Sequence, residues 1–593
     1  METKNCHPKG KSTSYGAGNC KENFNITPDD FSFYEKIGVP APTFCPECRM
    51  QRRLAWRNER GLYFRKNDKP GSEEKMISTY PESIPVSSYD NTYWWSDSWD
   101  AISFGCEYDL SRDFFSQYKD LLYRTPLISF FDSKGVNNQF CNYITESKNN
   151  YMLSAVWTCE DSMYSNRISF CQNTVDSYIS HKLDFSYEDI YCGDSSRLFY
   201  SENSYNCVNS YFLFDCRNCT DCFMCNSLRN KSYCINNIQY SKDEYKEKIK
   251  EFNLSSYASI QNHKASFELL KKNAIRKYAQ LTNCVNVVGD NMQNAKDAYY
   301  SFDLPGGVEN IKYCNWGTFG LKDSYDVGPG AGGKSELTYE GISIGVANSN
   351  VKFSVVVWNS TNVEYSFNCY SCNNCFGCVS LKNKNYCILN KQYEKDEYFE
   401  LLGRIKKQMN EIPYRDSMGN IYKYGEFFPL EIAPYAYNDT VAGDFFPLSE
   451  NDLVQKNFQY IPKVNKQYNI TVKFSDLPDS IIDVNDSILS EIVECKNTNN
   501  DKYVTCTKAY KLNEAEVSFY KRLGIPLPRV CYSCRHADRL SKRNPMKLWH
   551  RQCMCNLDNH DHAGQCEVEF ETSYSPDRPE KVYCEKCYQK EVL

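Results

Sequence analysis

Through the middle of the chain, polar and apolar positions alternate over short distances. A polar residue, a small or apolar one and an aromatic recur as Asp176-Ser177-Tyr178, Asp189-Ile190-Tyr191, Asn203-Ser204-Tyr205, Asn209-Ser210-Tyr211 and Asp221-Cys222-Phe223. The first three lie 13 and 14 residues apart, whereas Asn350-Val351, Asn362-Val363 and Asn374-Cys375 recur at steps of 12. Short alternating segments punctuated by Asn, Asp and Ser at near-regular spacing predict stacked strands in a β-solenoid. The region is also duplicated. Segments 214–245 and 367–398 are identical at 20 of 32 positions, so the two blocks are expected to build the same structure.

Helical periodicity is confined to few places. Ser241 and Glu244 form a capping-box pattern before YKEKIKEF. Tyr398, Leu401, Leu402, Ile405 and Met409 fall on one helical face, and 255–282 also reads as helical. Such helices would cover the exposed strand edges at the ends of a repeat block. Residues 413–486, which include GEFFPLEIAPYAY, read as irregular.

The two ends of the chain copy one another. Cys20 to Glu59 aligns without a gap to Cys506 to Pro545, placing Cys20, Cys45 and Cys48 over Cys506, Cys531 and Cys534. One further cysteine lies upstream in each copy, Cys6 and Cys495. Each end therefore offers four thiolates, two loosely spaced and two in a CxxC, the donor set of a tetrahedral structural zinc. Between them, DFSFYEKIGVP predicts a short helix with Thr27 as its N-cap and Pro40 beyond its end.

A second set follows at the C-terminal end: Cys553, Cys566, Cys584 and Cys587. Cys555, His560 and His562 are left over, able to replace Cys553 or to hold another ion. The corresponding N-terminal places carry Asn67, Pro70, Asp90 and Tyr93, so that half is expected to bind no metal and to rest on packing of Trp94 and Trp95. About three zinc ions are expected in all.

The fold class that follows is mainly β with some α: a central duplicated β-solenoid-like region flanked by zinc-ribbon modules, with bracing helices. The expected blocks are an N-terminal ribbon (1–95, its second half degenerate), a first β block (96–240), a helical segment (241–283), a second β block (284–393), a helix (394–412), an irregular linker (413–486) and a C-terminal double ribbon (487–593).

Composition adds a compartment. The 31 cysteines, many in CxxC pairs, sit in a chain whose start, METKNCHPKG, is polar. That favours reduced, metal-binding thiols and a cytoplasmic protein over a disulfide framework. Mean hydropathy is −0.63, and no apolar run has the length of about 18 residues that a membrane span needs. The net charge of −6 does not by itself point to a polyanion partner.

Three motifs carry competing readings. Cys216, Cys219, Cys222 and Cys225, and likewise Cys369, Cys372, Cys375 and Cys378, are spaced by three, as in iron–sulfur C-x2-C-x2-C runs. Cys222 and Cys375 nevertheless fall in the small-residue slot filled elsewhere by Ser177, Ser204 and Ser210, which favours cysteine as a small buried apolar residue. GPGAGGKS places Gly328, Gly333, Lys334 and Ser335 on the positions of a nucleotide-binding loop. That loop requires a helix directly after it, whereas ELTYEGISIGV reads as strand and turn. Finally, Arg49, Arg52, Arg53 and Arg57 cluster with Trp56, and Arg535, Arg539 and Arg543 with Trp549. These either grip RNA or single-stranded DNA or pair with the acidic body of the protein.

The FY-x-x-x-G-[VI]-P-x-P-x-x-C-x-x-CR stretches resemble a zinc-ribbon module. With RLAWRNER, WWSDSWD, NCFGC, NKQYEKDEY, GEFFPLEIAPYAYND, LPDSIIDVNDSIL and FETSYSPDRPEKVYCEKCY, the chain resembles a family of large, uncharacterised zinc-ribbon proteins of small-genome uncultured bacteria. The resemblance implies structural zinc in treble-clef-like ribbons at both ends. Members of that family often keep cysteines where this chain has Asn67, Pro70, Asp90 and Tyr93.

An enzyme is not favoured. Of seven histidines, His536, His550, His560 and His562 lie in the C-terminal ribbon, and no nucleophile, base and acid fall at a recognisable spacing. The expected function is a zinc-binding, non-catalytic scaffold for a protein partner, with RNA or single-stranded DNA binding as the alternative. The oligomeric state is left open.

Overall fold

The computed structural model describes residues 1–6, 23–316, 319–330, 332–462, 467–500, 502–503, 505–557 and 559–592. The expected ligand Cys20 lies outside them. The structure is mainly β, with cysteine clusters near both ends of the chain. It divides into two composite units, Met1–Phe131 with Ala279–Lys463, and Asp132–Tyr278 with Val464–Leu593. Each end module thus belongs with one repeat block: the N-terminal module with the second block, the C-terminal module with the first.

In the unit of Asp132–Tyr278 and Val464–Leu593, strands from Asp132–Ser133 to Ser232–Ile235 form a parallel ladder that closes on an antiparallel partner, Ile238–Gln239. The register advances by 12: Ser196 lies opposite Val208, Val208 opposite Thr220, and Thr220 opposite Ser232.

The polar–small–aromatic rhythm has a backbone cause. Every third residue from Lys134 to Tyr233 has a left-handed φ, and from Tyr143 to Met224 each is followed by a buried residue. In Asn209-Ser210-Tyr211, Asn209 has φ 49° and Ser210 is fully buried. Asn and Asp enter the left-handed region more readily than other non-glycine residues, so they recur there.

The inward hydroxyls also link successive steps. Ser165 Oγ donates to Met163 O at 3.0 Å and accepts from Ser177 N at 3.0 Å. Ser177 Oγ accepts from Asp189 N, Asp189 Oδ1 from Ser201 N at 3.0 Å, and Ser201 Oγ from Leu213 N at 3.0 Å. This corrects the phase read from sequence. Asp176-Ser177-Tyr178 does not stack on Asp189-Ile190-Tyr191; Ser177 meets Asp189, and Tyr178 pairs with Ile190. Asp189 is therefore an inward residue, and burial pushes its carboxyl well above the usual carboxylate range.

In the unit of Met1–Phe131 and Ala279–Lys463, a second parallel ladder runs from Leu281–Thr282 to Asn385–Ile388 and closes on antiparallel Lys391–Gln392. Its step varies at first, 11 between Val287 and Ala298 and 14 between Tyr325 and Tyr339. It settles to 12 through Val351, Val363, Cys375 and Cys387. Outward Asn350, Asn362 and Asn374 form an amide ladder at 2.8 and 3.0 Å.

The helices follow their signals. Pro28–Ile37 carries a Thr27–Asp30 capping box and ends on left-handed Gly38; Lys242–Glu251 carries the Ser241–Glu244 box. Lys395–Glu411 buries Tyr398, Ile405 and Met409. The helix expected over 255–282 spans only Tyr257–Asn273, and the chain then turns extended at Arg276–Lys277. Residues 413–462 hold only short elements but bury Phe427 and Phe428 completely. Among the described residues no helix is long and apolar enough to cross a membrane.

GPGAGGKS lies within the same ladder, as the strand-like sequence after it suggests. Gly332–Glu336 is a strand, not the first turn of a helix, and it pairs with Phe319–Val327. Lys334 has φ 66° and Ser335 is buried, its Oγ donating to Gly345 O at 2.7 Å and accepting from Asn348 N at 3.3 Å. Gly328 is required because a Cβ there would lie 2.0 Å from Asn315 O. Among the described residues of this segment, no row of helix amides is present to receive phosphate.

Ser201→Ala leaves the buried Leu213 amide without its acceptor and is expected to cost about 1–3 kcal/mol in denaturant unfolding. Asn218→Ala removes the exposed Asn218–Asn230 amide contact and also puts alanine at a φ of 54°, so it is expected to cost about 1–2 kcal/mol.

Candidate metal centres

The first centre is built at the junction of a hairpin and a helix. Val493–Glu494 pairs with Ala509–Tyr510, bringing Cys495 and Cys506 together, and Cys531 caps the helix Tyr532–Ser541, which carries Cys534 in its first turn. All four ligand sulfurs lie within 4.8 Å of one another. Cys495–Cys534 is 3.8 Å, Cys531–Cys506 4.0 Å and Cys531–Cys534 3.5 Å. Four thiolates at about 2.3 Å from one ion stand roughly 3.8 Å apart, so the set fits a tetrahedral metal. Disulfide sulfurs are about 2.0 Å apart, and the described cysteines are all free thiols. Cys495 rises to about 12, chiefly through its hydrogen bond with Cys531, while Cys495 and Cys534 hold the Cys531 sulfur far below its ordinary value.

Cys553, Cys566, Cys584 and Cys587 form a second set within the same limit, and Cys6, Cys45 and Cys48 a third. A fourth set joins Cys555, His560 and His562 to Cys587. The three CxxC turns share one contact: the amide of the first cysteine donates to the upstream sulfur. Cys531 N meets Cys495 Sγ at 3.2 Å, Cys584 N meets Cys553 Sγ at 3.2 Å, and Cys45 N meets Cys6 Sγ at 3.1 Å. Cys6 and Cys553 therefore stand where a ligand is needed.

The N-terminal counterpart of the second set is held by hydrogen bonds. Asn67 Nδ2 donates to Asp90 Oδ2 at 2.7 Å, and Asp90 Oδ1 caps the helix Asn91–Trp95 by accepting from Tyr93 N at 2.9 Å. Two positions expected to lack ligands thus contact each other directly. Trp94 is fully buried, whereas Trp95 is 41% exposed and packs edge-on against Trp94 and Tyr370.

Most arginines of the end modules point inward and pair with acidic groups of the protein, the second of their two expected roles. In the N-terminal module, Arg49 holds Asp326 through Nε at 3.0 Å and Nη2 at 2.8 Å, and Arg53 Nη1 holds the other oxygen at 2.9 Å. Arg52 bridges Glu340 at 3.0 Å and Glu426 at 2.9 Å. Arg57 pairs with Glu59 at 2.7 Å, and Trp56 packs on Phe428. In the C-terminal module, Arg535 and Arg539 hold the two oxygens of Asp176 at 2.5 and 2.6 Å. All these guanidinium groups are buried. Arg543 and Trp549 are only half-buried, with Lys547 over the Trp549 ring at 5.9 Å.

Arg49 and Arg53 align with Arg535 and Arg539, so both modules clamp one ladder aspartate with the same two helix positions. Asp326, Asp176, Glu340 and Glu426 were missed from sequence. The available signal was an arginine pair at i and i+4 repeated in both copies.

The central cysteine rows line the ladder interiors. Cys369 Sγ donates to Phe367 O and Cys378 O, both at 3.6 Å, and Cys372 Sγ to Tyr370 O at 3.4 Å and Leu381 O at 3.6 Å. Burial pushes the Cys369 thiol well above its ordinary value. At Cys372 the two carbonyl oxygens call for a protonated thiol as donor. Among the described residues, no three thiols of these rows converge within 4.8 Å, unlike those of the end modules.

No protein-family model matches this chain, and no curated protein matches it.

Replacing Cys531 and Cys534 together by serine should remove one bound ion per chain, measured by elemental analysis, and lower the thermal midpoint. Arg52→Ala removes the nearest cation from the buried Glu340 and Glu426 carboxylates, leaving Arg49 at 3.7 Å from one and the Thr43 donors on the other, and should cost about 3 kcal/mol in denaturant unfolding.

Proposed function

We propose that this is a zinc-stabilised, non-catalytic scaffold in which each unit is a β-solenoid of 12-residue coils locked to a zinc-ribbon module. The observation that carries the reading is the thiol geometry at Cys495, Cys506, Cys531 and Cys534, whose 3.5–4.0 Å separations suit one tetrahedral zinc. Four thiolates leave no open position for substrate or water, so such an ion stabilises and does not catalyse. The 12-residue register of the first ladder and of the later part of the second, with the left-handed residue at every third position of the first, supports the solenoid reading. The burial of Arg49, Arg52, Arg53, Arg535 and Arg539 favours a protein partner over RNA or single-stranded DNA, since the basic groups that would neutralise phosphate are spent on internal carboxylates.

Capture of the partner from cell extract by the tagged full chain is the test. The retained partner should be a protein that survives nuclease treatment and high salt. Loss of all captured material on nuclease treatment returns the reading to nucleic-acid binding.

A further inference from the structure

The C-terminal module brings two ligand sets onto one sulfur. Cys553, Cys566, Cys584 and Cys587 form one, and Cys555, His560, His562 and Cys587 the other. Seven side chains thus fill eight ligand positions, with Cys587 common to both sets. We propose that this module holds two divalent metal ions bridged by the Cys587 thiolate, one in a four-sulfur site and one in a site of two sulfurs and two imidazoles. The inference rests on the structural-zinc reading above and extends it.

The imidazoles are already set up as ligands. His560 Nδ1 lies 3.1 Å from Cys555 Sγ, while its Nε2 lies 3.0 Å from Glu591 Oε1. His562 reverses the roles: Nε2 lies 3.5 Å from Cys587 Sγ, and Nδ1 lies 2.9 Å from Gly564 O. In each ring one nitrogen donates its proton to an oxygen outside the cluster, leaving the other neutral nitrogen aimed at sulfur. A metal-bound histidine needs that outer hydrogen bond to fix its tautomer and orientation. A nitrogen and a sulfur on one tetrahedral zinc stand roughly 3.5 Å apart, close to both ring-to-sulfur distances.

Charge supports sharing rather than competition. Five thiolates and two neutral imidazoles around two divalent ions leave a net charge of about −1, whereas four thiolates on a single ion leave about −2. Lys590 pairs with Asp561, between the two histidines, at 2.5 Å, so the ligand-bearing loop is tied to the helix Glu585–Val592 that carries Cys587. His560 as a mere substitute for Cys553 does not account for the geometry. Cys553 already receives the Cys584 amide at 3.2 Å, and His560 faces Cys555.

Cadmium alone, loaded into the full chain, is the probe. Cadmium-113 NMR should show two resonances from this module, split by scalar coupling through the shared sulfur, beside singlets from the Cys495 centre and from the N-terminal set of Cys6, Cys45 and Cys48. Replacing His560 and His562 together by alanine should remove one ion per chain by elemental analysis and turn the surviving member of the pair into a singlet. The Cys495 singlet reports that the variant is folded. One resonance from the module, or two without coupling, overturns the bridged pair while leaving the structural-metal reading intact. A chain with no ion at either place overturns both.

Discussion

A carboxylate removed from water between two guanidinium groups organises each unit. Asp326 and Asp176 sit on the ladders, fully buried, and each has both oxygens taken by arginines one turn apart on the helix after a CxxC. A lone charge in that position would be costly, and a pair contributes only when geometry and hydrogen bonds are complete. Here each helix can dock in one orientation, since either oxygen left unpaired strands a charge. The CxxC at the start of that helix is the other fixed point, so the thiol cluster and the ladder aspartate together determine how module and ladder meet.

Duplication of this clamp makes the chain intelligible as two composite units. The surroundings differ while the clamp stays. In one module Glu516 joins Arg535 at 3.3 Å and accepts from Tyr164 at 2.8 Å; at the aligned position of the other, Asp30 takes Lys312 at 2.6 Å. Aromatics seal both sites. Phe33 stacks on Tyr325 with ring centroids 3.9 Å apart, and Tyr520 meets Tyr187 edge-on at 5.6 Å. The second half of each module took a separate course. Five cysteines and two histidines gather at the C-terminal end, while an Asn67–Asp90 hydrogen bond spans the same place at the N-terminal end.

Local chemistry was legible in the sequence and distant pairing was not. Thr27 with Asp30, and Ser241 with Glu244, act within one helical turn, and both appear as capping boxes. The CxxC pairs fix two ligands by spacing, and the remaining sulfurs follow from alignment of the two ends. The ladder was visible as a rhythm, but its phase was misread near Asp189. Aromatic, polar and small residues exchange places between steps, whereas the left-handed backbone position recurs every third residue whatever its side chain. The acceptors of Arg49, Arg52 and Arg53 lie more than 270 residues away along the chain. No local pattern separates an arginine awaiting a carboxylate from one awaiting a phosphate.

Hydrogen exchange on the full chain before and after metal removal tests the coupling of thiol cluster to ladder most directly. The account predicts that stripping the metal raises exchange in the helices Pro46–Leu54 and Tyr532–Ser541, and also in the ladder strands beside Asp326 and Asp176. Unchanged protection at the helices and around both aspartates, in protein shown to be metal-free, would contradict it.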